Sequence, residues 1–528
     1  MLSSVAKKVL TGTAVLLVIG IATWAADFRL ALDGNDSTSM VLLADDWAIY
    51  GDLIWGETRS ESTKIREIFL ESWEGRPLRA IEYVMLAASY QILGFHGGFW
   101  LQMAILTLSG ALFASLLKRQ LPGHLAILGG LLVVLHPADT THIWLATMMA
   151  KLGLVYALLA LHLFVREKFK LSAVLLIASF MSYEIAPLIF ALAPFVADGG
   201  SKKSTKTGII VFGVSLSLYL AWRFFVFVEA SPDIRFLLFR ADDTWSLWAY
   251  LTPFATTMRD LLVVTTTLTP LMPPLGAVLM TLAVAAALAL VSLKWTVPKI
   301  AKGGVSRAFI WGLIGIAAGA ALSFRAAPNA SLGIASRHNI ASVFGAALTF
   351  VAIVQGLQNL GPRRLGQFLS IFLGVVLIGI FGQQRSAIQQ GYLDAGNFQR
   401  RLVHESFSAI GAVQPHTLIV LEHPRSDWHE PFEVMPPIIT GQAYEIEAIC
   451  ELVYDKSVVG LCMQSPSDDK SAKTTTAHAI FAEKDNFHEI VHYDFATKKV
   501  TWVRRSQKAK PEQPIVPHGP AWRYCLGR

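Results

Sequence analysis

Four carboxylates stand out in this sequence by position: Asp45 and Asp46 in "SMVLLADDWAIYGD", Asp139 in "LHPADTTHIW", and Glu184 in "MSYEIAP". Each lies beside a long apolar run. Four basic residues do the same: Arg76 in "WEGRPLR", and Arg325, Arg337 and His338 in "SFRAAPNASLGIASRHN". Charges at the edge of apolar segments are costly unless they pair or line a wet cavity, so such positions read as functional. A carboxylate suits general-base work on a hydroxyl, or a divalent metal. An arginine offers a planar fork of donors that matches phosphate oxygens. Acids and arginines gathered at one face therefore suit an anionic phosphate substrate whose lipid tail stays in the bilayer.

The elements that must gather them are membrane spans. The 528-residue chain is 53% hydrophobic and only 16% charged, with mean hydropathy +0.48. A soluble domain carries about 25% charged residues. The net charge of +7 does not point to nucleic acid, because the basic residues cluster in short loops, as the positive-inside rule produces. These loops are "KRQLPGH" (118–124), "REKFK" (166–170), "SKKSTK" (201–206), "KWTVPKIAKGGVSR" (294–307) and "GPRRLG" (361–366). With all five inside, the chain makes about eleven crossings of the roughly 20 apolar residues each that a span needs. The crossings fall at 9–26, 98–117, 124–136, 146–165, 171–183, 185–197, 208–228, 272–293, 307–324, 339–357 and 367–383. "AIEYVMLAASYQILGF" (80–95) is read as an amphipathic helix on the outer interface rather than a span. The first outer loop is then 27–97, and all eight residues named above come to the outer rim.

Beyond residue 384 the composition changes. "HTLIVLEH", "YEIEAICELV", "SVVGLCMQ", "HAIFAEK", "HEIVHYDF" and "KVTWVRR" read as short strands or a helix between polar turns. The chain thus divides into a transmembrane catalytic domain, 1–384, and a soluble α/β or α+β domain outside the membrane, 385–528. The three cysteines, Cys450, Cys462 and Cys525, show no zinc spacing; an outer location permits a Cys450–Cys462 disulfide.

The order of these segments resembles the GT-C glycosyltransferases, multispanning enzymes that use polyprenyl-phosphate-linked sugars, in particular the protein O-mannosyltransferase and TMTC-like branch. The resemblance rests on "ADDW", "GRPLRAIEYVMLAASYQILGFHGGFWLQMAI", "LVVLHPADTTHIWLATMMAKLG", "FMSYEIAPLIFALAPFVAD" and "ASRHNIASVFGAALTF", in order, over residues 1–385. It implies a polytopic α-helical fold and inverting transfer of a sugar from a lipid-phosphate donor to an acceptor hydroxyl. Asp46 or Asp45 would be the base, Asp139 a second acid, and Glu184 the acid of a Lys–Glu motif. Arg337 would contact the lipid phosphate, with Arg76, His338 and Arg325 near it. The sequence does not require a divalent metal; were Mg or Mn bound, Asp46 and Asp139 would be the residues to hold it. Three positions depart from the family pattern: Lys151 stands for an arginine, Tyr183 for the motif lysine and His338 for a tyrosine.

Blander roles stay open at each position. Asp45 and Asp46 suit helix N-caps, His136-Pro137 suits the end of a span, Glu184 suits a turn, and Arg337 suits an interface anchor. Two rival functions are an O-antigen polymerase or ligase and a lipid-linked glycan flippase. Against the first, the acids concentrate in the first outer loop; against the second, no internal repeat is visible. Compact loops with only two sequon matches, at Asn35 and Asn329, point to a bacterial inner membrane, N-terminus cytoplasmic and C-terminal domain outside. The partners expected are the lipid-linked donor, a glycan, lipid or protein acceptor, and membrane lipids.

Overall fold

The computed structural model describes residues 16, 18–21, 50–51, 53, 76–139, 144–227, 261, 303–321, 339–358, 363–423, 449–454, 457–464, 487, 489–495, 497–504, 513–518 and 522–523. The helices are α1 (Arg79–Leu93), α2 (Gly97–Leu117), α3 (Gly123–Leu135), α4 (Met148–Val165), α5 (Phe169–Ser182), α6 (Ala193–Asp198), α7 (Lys202–Phe227), α8 (Gly303–Ala320), α9 (Ser342–Gln358) and α10 (Arg363–Ile410). Within the described residues, the apolar segments expected from hydropathy between 98 and 227 and between 307 and 383 are thus helical. One of them changes type: 186–192 is a 3₁₀ helix before α6 continues it, with proline near the start of each piece. The segment 272–293, most of 9–26 and "HAIFAEK" lie outside the described residues.

Three described runs are long and apolar enough to cross a membrane, Arg79–Leu117, Leu145–Val165 and Lys202–Phe225; the other apolar helices have 10–17 residues. The first run has 39 residues, about 58 Å if straight, nearly twice a bilayer's hydrocarbon thickness. It is broken at Gly94, whose φ of 69° is open to glycine without a Cβ penalty. Upstream of the break, α1 is two-faced: Ala80, Tyr83, Leu86 and Ala87 are buried while Ile81, Val84, Ile92 and Leu93 are exposed.

Helices α8 and α9 pack antiparallel through small residues. Gly319 faces Ser342, Gly315 faces Gly345, and Gly312 faces Thr349. Such residues let helix backbones approach closely, which drives association where lipid removes the hydrophobic term. Elsewhere in the bundle, Ser179 Oγ donates to the Gly153 carbonyl at 2.7 Å, joining α5 to α4.

Helix α10 has 48 residues, about 72 Å. The composition change at 384–385 falls inside it, since "GQQRSAIQQGYLD" has no proline to end a helix. It stops at Gly411, φ 70°, whose N–H donates to the Phe407 carbonyl. The chain then forms a four-stranded sheet, β1 (Thr417–His423), β2 (Val459–Gln464), β3 (Glu489–Asp494) and β4 (Lys499–Arg504), in the order β2-β1-β3-β4. β1 is parallel to both neighbours, and β4 is antiparallel to β3. Leu418, Ile419, Val420 and Leu421 are all buried, as expected of a central strand covered on both faces.

One apolar cluster ties this sheet to the bundle. It includes Tyr50, Leu86, Phe99, Leu145 and Met148 together with Phe407, Val413, Ile419, Tyr454 and Val491. Phe99 and Met148 begin α2 and α4, so the sheet lies at the end of the bundle where those helices start. Cys450 is buried on a helical turn (449–453) whose Ile449 and Val453 share the apolar cluster, and the side chains of its expected partner Cys462 and of Cys525 lie outside the described residues.

Candidate functional site

At that same end two charged clusters flank the first turn of α4. The first is built on Glu184. The turn between α5 and the 3₁₀ helix carries it: Tyr183 leaves α5 in an extended conformation. The turn is pressed against α4, where a Cβ on Gly153 would meet Ala186 at 3.0 Å. Arg76 reaches Glu184 from 108 residues away, with Nη2 donating to Oε2 at 3.0 Å and Nε to Oε1 at 3.4 Å. Arg223, one turn before the end of α7, donates from Nη1 to Oε1 at 2.6 Å. Tyr219 O–H donates to the same oxygen at 3.3 Å and accepts from Arg223.

Aromatic and sulfur contacts brace the guanidiniums. Arg76 lies over the Tyr183 ring at 5.1 Å and touches the Met149 sulfur at 3.6 Å. Tyr219 stacks on Phe180 at 5.1 Å. Two arginines against one carboxylate leave a net single positive charge. The cluster is also reachable: side-chain exposures are 32% for Arg76, 22% for Glu184 and 21% for Arg223. Burial alone would push the Glu184 carboxyl up, but the charges of Arg76 and Arg223 outweigh it and hold it below the ordinary carboxylate value. Arg76 is raised in turn, Glu184 overcoming its own burial. Glu184 is therefore an ionised acceptor of four hydrogen bonds, three on Oε1 and one on Oε2.

The second cluster is the turn after α3. Pro137 ends the helix and holds His136 extended. Asp139 follows, buried, and Lys151 Nζ donates to its Oδ2 from a side chain that is fully buried. His136 is tied down at both nitrogens. Ala138 N–H donates to Nδ1 at 3.2 Å, which makes Nδ1 the acceptor; Nε2 then donates to the Leu261 carbonyl at 3.1 Å. The ring packs on Phe381 with centroids 4.8 Å apart. Asn339 Nδ2 donates to the Ala138 carbonyl at 3.4 Å. Met149, touching Arg76, and Lys151, touching Asp139, differ by two positions, about 3 Å along α4 and about 200° around it. The two clusters thus sit on opposite sides of one helical turn.

The expected residues divide accordingly. Arg76 and Glu184 are brought together, and Asp139 is joined to Lys151. Asp45, Asp46, Arg325, Arg337 and His338 lie outside the described residues, as do Asp52 and His142. Sequence reading passed over Arg223 and Tyr219. The available signal was "YLAWRFF": a lone arginine, one helical turn after a tyrosine, inside an apolar run. For a metal, no group of three or more His, Cys, Asp or Glu converges among the described residues. Asp139 with a lysine ammonium on its carboxylate does not fit a cation site.

No family profile matches the chain, and no curated protein matches it. Among solved structures, the chain is similar to ArnT from Cupriavidus metallidurans, crystallised bound to undecaprenyl phosphate. Identity is 13% and the TM-score 0.35, over 97% of this chain and 98% of that chain. At that level the likeness assigns no role to any residue.

Proposed function

We propose that this protein is a membrane glycosyltransferase of the GT-C type. It moves a sugar from a polyprenyl-phosphate donor to an acceptor hydroxyl on the extracytoplasmic face. The observation that carries the reading is the pair of guanidiniums, Arg76 and Arg223, held on one partly exposed carboxylate. Glu184 fixes both forks while leaving one positive charge uncompensated, which suits a phosphate arriving from the lipid side. Support also comes from the ordered motif resemblance in residues 1–385, and from the apolar cluster that brings the C-terminal sheet to the same end of the bundle.

The chemistry divides between groups. The donor's phosphate docks on Arg76 and Arg223, with Arg337, His338 and Arg325 completing its surroundings, and the prenyl tail stays in lipid. Asp46, or its neighbour Asp45, takes the proton of the acceptor hydroxyl as the oxygen attacks the anomeric carbon. The carbon–phosphate oxygen bond breaks with inversion, and the charge that develops on the leaving phosphate falls on the arginines. Glu184 acts as organiser of the arginines, not as the base, because the charges of Arg76 and Arg223 hold its carboxylate below the ordinary value and so make it a weak base. The leaving group is a good one, so orientation and charge stabilisation supply most of the rate.

Asp45→Asn/Asp46→Asn tests the assignment. Removing a general base lowers rate by about 10²- to 10⁴-fold, so cells carrying only this variant should show the same envelope glycans by mass spectrometry as cells lacking the protein. Wild-type glycans in the variant, at normal protein levels, reject the assignment.

A further inference from the structure

We infer that Asp139 and Lys151 act as one neutral positioning pair that holds the 136–139 turn against α4, and that Asp139 itself neither moves a proton nor binds a metal. Both side chains are buried, at 7% and 0% exposure, and directly paired. Taking two charges out of water costs several kcal/mol each, and replacing a buried pair by apolar residues is often neutral or stabilising. Burial of these charges is thus not explained by stability. Its best-attested use is to fix register: an ion pair accepts one alignment where apolar side chains accept several.

The register fixed here matters because of what meets at this turn. In four consecutive residues, His136 to Asp139, the chain contacts Lys151 on α4, the Leu261 carbonyl, Asn339 just before α9, and Phe381 on α10. These partners are distant in sequence, so the turn is a junction of four segments. Asn339 directly follows Arg337 and His338 in the chain. The pair thereby fixes where the chain is anchored at Asn339, on the side of α4 opposite the contact of Arg76 with Met149. Lys151 is a positioning residue on this account, and the inference rests on the transferase reading only for its activity readout.

The test is a mutant cycle on the full-length protein: Asp139→Leu, Lys151→Met, the double variant, and Lys151→Arg. Turnover of a polyprenyl-phosphate sugar and the melting temperature are both measured. Each single change removes the ion-pair partner of a buried charge and should lower turnover by about tenfold or more, with a lower melting temperature. The double variant and Lys151→Arg should return to within about threefold of wild type, with the wild-type pH profile, since the pair and not its carboxylate is what the site needs. A double variant that folds like wild type yet is as inactive as Asp139→Leu overturns the inference, because the carboxylate then acts on substrate or metal. If wild type shows no turnover, the transferase reading fails by itself. The pair is then judged on melting alone: recovery in the double variant sustains it, and additive losses reject it.

Discussion

Glu184→Ala is expected to cost about 100-fold or more in sugar transfer, because displacement of positioning groups by about 1 Å already has that effect. The mechanism is loss of the shared acceptor. Without it, two guanidiniums face each other across a site whose aromatic walls, Tyr183 and Tyr219, cannot neutralise them. Stability should fall as well, by about 1–3 kcal/mol, less than for a fully buried pair because water still reaches all three side chains. Glu184→Gln separates charge from shape. It keeps one acceptor oxygen but removes the negative charge, so it should retain the fold better than alanine while losing most of the activity.

The same carboxylate sets a pH dependence whose sign follows from its depressed value. A group whose native pKa lies below its unfolded value stabilises the fold above the unfolded pKa, and that stabilisation disappears as pH falls through the native one. For Glu184 the window lies from the ordinary carboxylate value of 4.5 downward. Melting temperature should drop across it in wild type, and the drop should be smaller in Glu184→Gln. Identical acid profiles for the two proteins would show that the cluster carries no such charge.

Gly345→Leu should be strongly destabilising. A Cβ at this position would stand 2.6 Å from the Gly312 carbonyl oxygen, which is backbone and cannot swing away. Overpacking of this kind costs about 1–3 kcal/mol and sometimes more, here by forcing α8 and α9 apart along their small-residue seam. Gly382→Ala is the matched control. Nothing lies within 4 Å of a Cβ there, so helix propensity alone predicts a gain of about 0.5–1 kcal/mol. A melting temperature unchanged by Gly345→Leu would mean that the two helices are not in the contact described.

What could be read in the sequence is what local physics decides. The run 98–117 became Gly97–Leu117 and 124–136 became Gly123–Leu135, because long apolar stretches bounded by basic loops have few alternatives to helix. "HTLIVLEH", "SVVGLCMQ", "HEIVHYDF" and "KVTWVRR" became β1 to β4, their short apolar or alternating runs being bounded by turns. What could not be read is pairing at a distance. Nothing local to "SYE" says that Glu184 will take arginines from positions 76 and 223, and nothing local to "MMAKLG" says that Lys151 will neutralise Asp139. The arginine in α7 looked like part of a span because apolar neighbours outnumber it. The composition change at 384–385 carries no local signal of a helix end, and α10 continues through it.

Binding of polyprenyl phosphate itself to the purified chain is the most direct test of the central claim, that Arg76 and Arg223 on Glu184 receive a lipid-borne phosphate. Wild type should bind it at least about tenfold more tightly than the unphosphorylated polyprenol, since charge-assisted bonds to phosphate are among the strong ones. Arg223→Ala and Arg76→Ala should each lose that preference while keeping affinity for the tail. Equal affinity of wild type for the phosphate and the alcohol, or full retention of the preference in both arginine variants, would contradict the account.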